Sequence, residues 1–197
     1  MYTGVDVTIN ARPRPGLLLT GGTNTQRRTI DKCEVVAKVP EAILNVSADA
    51  PSIPYCATQG NFITQVKLTG SYTVPRIDVQ VTAALQSQPG PEVAANFTAT
   101  NAVVTPSLGR PLSGGTANIP VNLVEPRTMY GERMNQLDLR IGKILNAGGM
   151  RWTASVDLYN ALNSSPVITQ SDAYATWMRP QAILNARFAK LVLQVDF

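Results

Sequence analysis

Apolar and polar residues alternate along much of this chain, most clearly at its end. In Arg187-Phe188-Ala189-Lys190-Leu191-Val192-Leu193-Gln194-Val195-Asp196-Phe197, residues Ala189, Leu191, Leu193, Val195 and Phe197 share one face. Phe188, Lys190, Val192, Gln194 and Asp196 share the other. Successive side chains of a strand point to opposite faces, so one face is apolar and the other mostly polar. The alternation runs up to an aromatic last residue, where chain ends ordinarily fray. A transmembrane barrel uses such a strand, because its outward face meets lipid and its inward face meets water or a plug.

The same period of two marks six further strands. Residues 2–12 set Val5, Val7, Ile9 and Ala11 against Asp6, Thr8 and Asn10. Residues 17–24 form a second strand of unassigned face, since Leu17, Leu18 and Leu19 are consecutive and Gly21-Gly22 follow. Residues 62–73 set Val66, Leu68, Gly70 and Tyr72 against Gln65, Lys67, Thr69 and Ser71. Residues 77–86 set Ile77, Val79, Val81, Ala83 and Leu85 against Asp78, Gln80, Thr82 and Gln86. In residues 134–145, Leu137, Leu139 and Ile141 oppose Gln136, Asp138 and Arg140. In residues 150–162, Trp152, Ala154, Val156 and Leu158 oppose Arg151, Thr153, Ser155 and Asp157. The terminal strand begins near Gln181.

The connections alternate as well. Short turns sit at Pro13-Arg14-Pro15-Gly16, Val74-Pro75-Arg76 and Asn146-Ala147-Gly148-Gly149, all of turn-favouring composition. Long segments lie between them at residues 25–60, 87–132 and 163–179. The first holds Pro40, Pro51, Pro54 and both cysteines; the second is proline-rich and is expected to contain short strands near Val103 and Val121. Membrane barrels join strands by short periplasmic turns and longer external loops. Structureless connections of this length are uncommon in compact soluble domains. Several strands also reach the ~9–11 residues that a tilted strand needs to cross a bilayer. With Phe197 at the periplasmic end, every short turn falls on that side and every long segment outside.

Composition narrows the alternatives. The chain has 197 residues, 44% of them hydrophobic, with a net charge of +4. No run approaches the ~20 apolar residues of a spanning helix. Arg27-Arg28 is the one adjacent basic pair, and no basic stripe interleaved with aromatics appears, so nucleic acid is not an expected partner. Histidine is absent, which removes the common Ser-His-Asp, Cys-His and His-based metal sites. Gly21-Gly22-Thr23 lacks the Gly-Lys-Ser/Thr of a phosphate loop. No paired carboxylates stand out as an acid/base site, so neither an enzyme nor a cofactor is expected. The triplets Asn45-Val46-Ser47, Asn96-Phe97-Thr98 and Asn163-Ser164-Ser165 match the glycosylation pattern, which carries little weight in a bacterial outer-membrane protein. Residues 1–9 carry neither the basic nor the apolar region of a signal peptide and already alternate, so a piece of a longer protein, or a reading frame whose upstream part is missing, is expected.

Three stretches carry a family resemblance. Arg133-Met134-Asn135-Gln136-Leu137-Asp138-Leu139-Arg140-Ile141-Gly142-Lys143 resembles the R-x-x-x-L-D-L-R-x-x-K strand of TonB-dependent outer-membrane receptors. Val156-Asp157-Leu158-Tyr159-Asn160-Ala161-Leu162-Asn163 resembles their penultimate-strand motif V-x-N-L-F-N, with Asp157 in place of the usual Asn and Tyr159 in place of Phe. Leu193-Gln194-Val195-Asp196-Phe197 resembles their terminal insertion signal. The full receptor is a 22-stranded barrel with an amino-terminal plug, and it imports scarce nutrients with energy passed by TonB. The long Pro-containing loops look most like receptors with an upstream carboxypeptidase-regulatory-like domain. On this resemblance the plug, the TonB-contacting segment and the early strands are expected to lie outside the given sequence.

The expected fold is therefore all-β: an antiparallel up-and-down transmembrane barrel segment of about seven long strands, with residues 1–197 forming the carboxyl-terminal part of the barrel domain. The expected function is part of a solute-uptake receptor in the bacterial outer membrane, unable to transport alone. The alternatives are a soluble β-sandwich with a binding or structural role, and a small porin-like barrel. Expected partners are outer-membrane lipid, the plug and early strands, the barrel-assembly machinery, and TonB only through the plug. Ala189, Leu191, Leu193, Val195 and Phe197 would form the insertion signal. Asp78, Asp138, Arg140, Arg151, Asp157, Lys190 and Asp196 would face the lumen, as ordinary solvated or paired charge or in contact with a plug or substrate. Trp152 and Phe197 would join interfacial girdles, while Tyr130 and Trp177 would lie in or near external loops. Cys33 and Cys56 share one external loop, where an oxidising compartment permits a disulfide. Closing this ~24-residue loop would stabilise it by roughly 3.5 kcal/mol on the chain-entropy account. Two cysteines without histidine are too few ligands for a metal site.

Overall fold

A computed structural model describes residues 1–39 and 53–197. The Asn45-Val46-Ser47 triplet, Pro40 and Pro51 lie outside the described residues. In chain order the strands are β1 (Tyr2–Arg14), β2 (Leu17–Asp31), β3 (Ala57–Gln59), β4 (Ile63–Val74), β5 (Val79–Gln88), β6 (Asn96–Thr100), β7 (Asn118–Asn122), β8 (Met134–Ala147), β9 (Met150–Tyr159), β10 (Val167–Gln170), β11 (Pro180–Ile183) and β12 (Phe188–Asp196). Two short helices, α1 (Cys33–Lys38) and α2 (Asn101–Leu108), lie in the connections. The fold is all-β, but it has twelve strands among the described residues where seven were expected. The long strands form one antiparallel path, β1-β2-β4-β5-β8-β9-β12, and β3 pairs the end of β2. The other short strands form two hairpins, β6-β7 and β10-β11, within the long connections. The main sheet does not close into a barrel, and β1 and β12 are its edges.

Tight turns follow from local chemistry. Gly148 and Gly149 take φ 63 and 76 between β8 and β9, where two successive positive φ values match the right-handed twist of a hairpin. Between β4 and β5, Arg76 (φ 72) and Asp78 (φ 48) take the left-handed region. Aspartate tolerates it because its short polar side chain bonds locally. Asp78 and Ile77 thus belong to the turn rather than to the strand predicted from Ile77.

Other boundaries also move. β2 runs on to Asp31 through Thr23-Asn24-Thr25-Gln26, a polar run without alternation, because the ladders to β1 and β4 hold it on both sides. The Gly pair lets those neighbours approach closely. At Gly21 (φ +151) an added Cβ would stand 2.2 Å from the Lys67 carbonyl oxygen. Val103 lies in α2, not in a strand, and that helix ends at Gly109 in the left-handed conformation. The expected terminal strand is split. Pro180–Ile183 turns back onto β10, and the ladder with β9 begins at Phe188.

The register aligns the two predicted faces across the whole sheet. One row runs Ala11, Leu19, Gly70, Ala83, Leu139, Leu158, Ala189. A second runs Leu17, Tyr72, Val81, Ile141, Val156, Leu191. The first row starts near the turn end of β1 and finishes at the opposite end of β12. The strands are therefore staggered across the hydrogen-bond direction, as the tilted strands of a barrel wall are.

Burial is inverted relative to a soluble fold. On the apolar face Val5 is 66% exposed, Ile141 59%, Val156 48%, Leu191 81% and Leu193 65%. On the opposite face Ser155 and Asp157 are buried. Among the described residues the buried apolar side chains are Ile30, near the end of β2, and Val93, Ala95 and Ala99, in the long connection between β5 and β8. That connection joins the one between β9 and β12. Asn96 N–H donates to the Asp172 carbonyl (2.7 Å), Asn96 Nδ2 to Asp172 Oδ2 (2.9 Å), and the rings of Phe97 and Tyr174 meet edge to face at 5.8 Å. The connection between β2 and β4 joins as well, through Asn61 N–H to the Arg127 carbonyl (3.0 Å). The described parts of all three long connections thus form one cap at the end of the sheet away from the tight turns.

Candidate functional site

Alternation brings most of the singled-out charges onto one face. Thr82, Arg140, Asp157 and Lys190 occupy one row, and Asn146, Arg151 and Asp196 another. At the first row's centre, Arg140 Nε and Nη2 donate to Asp157 Oδ1 and Oδ2, both at 2.6 Å. This fork-to-fork geometry is the strongest form of the pair, because both donors engage one carboxylate in plane. The Asp157 side chain is 4% exposed and that of Arg140 48%. Ser155 Oγ adds a longer bond to Asp157 Oδ1 at 3.4 Å, and Tyr159 OH reaches Oδ2 at 3.5 Å.

A second polar group lies toward the cap. Gln136 Nε2 donates to both oxygens of Asp138 at 3.0 Å, and Asn160 N–H donates to Oδ1 at 2.8 Å. Asn160 is 2% exposed and takes φ 49, a conformation asparagine tolerates. Its Nδ2 donates to the carbonyls of Ser164 and Asn185, each at 2.8 Å, and its Oδ1 accepts from Ser164 N–H at 3.1 Å. One side chain therefore ties the end of β9 to the segment entering β12. Tyr159 stacks on Phe188 beside it, with centroids 4.7 Å apart. Asn160 was not singled out from the sequence, although it sits within the Val156–Asn163 motif. Its burial depends on the break before β12, which alternation does not reveal.

The remaining expectations divide as follows. Ala189, Leu191, Leu193 and Val195 lie on the apolar face against β9, and Phe197 follows β12 fully exposed. Cys33 and Cys56 form a disulfide with Cα atoms 4.8 Å apart, an ordinary separation for such a bond. It clamps α1 to the segment entering β3, where Lys32 N–H donates to the Cys56 carbonyl at 2.9 Å. Trp152 lies on the apolar face near the tight turns. Tyr130 and Trp177 lie in the cap, and Trp177 is 44% exposed. Asp78, in its turn, is the one expected polar-face charge that joins no row.

Where the sheet meets the cap, Arg27, Arg28, Asn61, Arg127 and Tyr130 line a cavity of about 150 Å³. Arg27 stacks on Phe62 at 4.7 Å and Arg28 on Tyr2 at 5.1 Å. Glu92 Oε1 accepts from Arg127 N–H at 2.8 Å. Burial, and then the Glu92 charge, push the Tyr130 phenol above the usual tyrosine value, with Arg127 opposing. Among the described residues, no group of three or more His, Cys, Asp or Glu side chains could hold a metal ion. No helix among them is long and apolar enough to cross a membrane, which says nothing about crossing with strands. Compared with known proteins, the chain matches no family model, no curated protein and no solved structure.

Proposed function

We propose that this chain is the carboxyl-terminal barrel segment of a TonB-dependent receptor of the bacterial outer membrane. The observation that carries the reading is the inverted sheet. A continuous apolar face stands exposed across seven strands, while the opposite face holds the covered Asp157 carboxylate bridged to Arg140 and the Asp138–Asn160 network. In water, exposed apolar area on this scale is unfavourable by roughly 25 cal/mol per Å². In a bilayer the same face is satisfied by lipid, and the polar face lines an aqueous lumen. The stagger, the alternation of tight turns with cap-forming connections, and the three receptor-like motifs point the same way.

In this reading the tight turns are periplasmic and the cap external. β12 carries the signal for the barrel-assembly machinery. The edge of β1 pairs with earlier strands of the receptor, because an unpaired edge in lipid leaves backbone groups unsatisfied at several kcal/mol each. The polar face meets the plug, which would carry the contact with TonB. The segment alone does not transport. Expression in a Gram-negative host behind an export signal peptide, followed by membrane fractionation, tests the assignment. The chain is expected in the outer-membrane fraction, released by detergent and not by alkaline carbonate. Recovery as a monodisperse protein without detergent would overturn it. Selective solute uptake by this chain alone would overturn the claim that it is only a segment.

A further inference from the structure

Along the apolar-face positions of β5, β8, β9 and β12, Lys143 is the charged residue in rows of Val, Leu, Ile, Ala and Trp. It shares a row with Val79, Ala154 and Leu193. Beside it, Val79, Ile141, Ala154, Val156, Leu191 and Leu193 line an open apolar groove of about 510 Å³. On this face of β9 the small side chain of Ala154 stands between Val156 and Trp152 and lines the groove.

Lys143 does not sit at mid-height. Its Nζ donates to the carbonyl oxygen of Ile77, in the tight turn between β4 and β5. The aliphatic stem thus follows the apolar surface while the ammonium reaches the turn level, as lysines do at a membrane boundary. Among the described residues no carboxylate lies within ion-pair distance of this ammonium. One carbonyl occupies one of its three donors. Trp152 lies one row nearer the β8–β9 turn, the position at which aromatic side chains meet lipid headgroups.

We infer that this groove is a binding site for an anionic phospholipid of the periplasmic leaflet, its phosphate held by Lys143 and an acyl chain laid along Ile141, Val156 and Leu191. The inference rests on the membrane reading above. Charge complementarity selects the anionic headgroup, and the position of Lys143 at the tight-turn end selects the leaflet. An apolar groove alone would bind acyl chains without regard to headgroup.

The test uses the full chain inserted into vesicles of equimolar phosphatidylglycerol and phosphatidylethanolamine, extracted in mild detergent and analysed for retained lipid by native mass spectrometry. Insertion is checked for each variant by resistance to alkaline carbonate extraction. The wild type is expected to retain phosphatidylglycerol preferentially. Lys143→Gln is expected to lower that retention about fivefold, the scale of one lysine at a membrane surface. Lys143→Arg and the polar-face variant Lys67→Gln are expected to retain it, and Ala154→Leu to lose it by filling the groove. Equal retention by wild type and Lys143→Gln in inserted protein, or retention without headgroup preference, would overturn this inference alone. Failure of the wild type to insert at all would overturn the membrane reading and this site with it.

Discussion

Arg140 and Asp157 form an asymmetric pair, since the carboxylate is almost wholly covered while half of the guanidinium side chain stays open. Removing the arginine strands a covered charge, whereas removing the aspartate leaves a cation that water can reach. Arg140→Ala is therefore expected to cost about 1.5–3 kcal/mol, and Asp157→Ala less. Urea unfolding of the vesicle-inserted protein measures both, and the reverse order would contradict the geometry. Asn160→Ala is expected to loosen the entry to β12, because four side-chain hydrogen bonds disappear. Hydrogen exchange should accelerate at Ser164 and in the segment entering β12, with the β4–β5 ladder unchanged. Tyr130 gives a pH-dependent test. Its raised pKa means that the folded chain holds the phenolic proton more tightly than the unfolded chain does. The associated stability is present below the ordinary tyrosine value near 10 and is lost as pH rises through the folded value. Phenolate absorbance lost on Tyr130→Phe should titrate above that ordinary value. Glu92→Gln should lower the midpoint only in part, since burial is the larger cause.

At the scale of elements, alternation made the long strands legible, and the register bears out the predicted faces. Residues such as Leu139 and Asp138 announce opposite sides because the period of a strand is two. The remainder depended on contacts that no local pattern carries. The outer half of β2 is polar throughout and is a strand because β1 and β4 pair with it. The β10–β11 hairpin takes up the start of the expected terminal strand because Val167–Gln170 is there to receive it. The short strands of the cap were only partly visible, with Val121 found in β7 and Val103 in a helix. The polar-face site was readable as a set of charges but not as a pairing, since the rows depend on register. The Cys33–Cys56 bond gives a test at this scale. Alkylation without reductant should find no free thiol. Reduction should expose residues near α1 and β3 to limited proteolysis while β4, β5, β8 and β9 stay protected, because the bond closes a connection and not the sheet.

For the whole molecule, the central question is what covers the apolar face. A soluble sandwich would need a second apolar sheet upon it. The two further sheets among the described residues are two-stranded hairpins in the cap, and the face itself remains exposed. The barrel reading supplies lipid there and water opposite. It also accounts for the staggered rows and for β1 and β12 ending as edges that the rest of a receptor would satisfy. The most direct test is residue-by-residue solvent accessibility in the membrane. Single cysteines placed along β8 and β9 carry spin labels, the native cysteines being paired. Collision rates with oxygen, which concentrates in lipid, are compared with those of a water-soluble nickel complex. Labels at Leu139, Ile141, Ala154 and Val156 should favour oxygen, and labels at Asn146, Arg151 and Thr153 the nickel complex, with a period of two along each strand. The loss of that alternation, or shielding of the apolar positions from both reagents, would contradict the account.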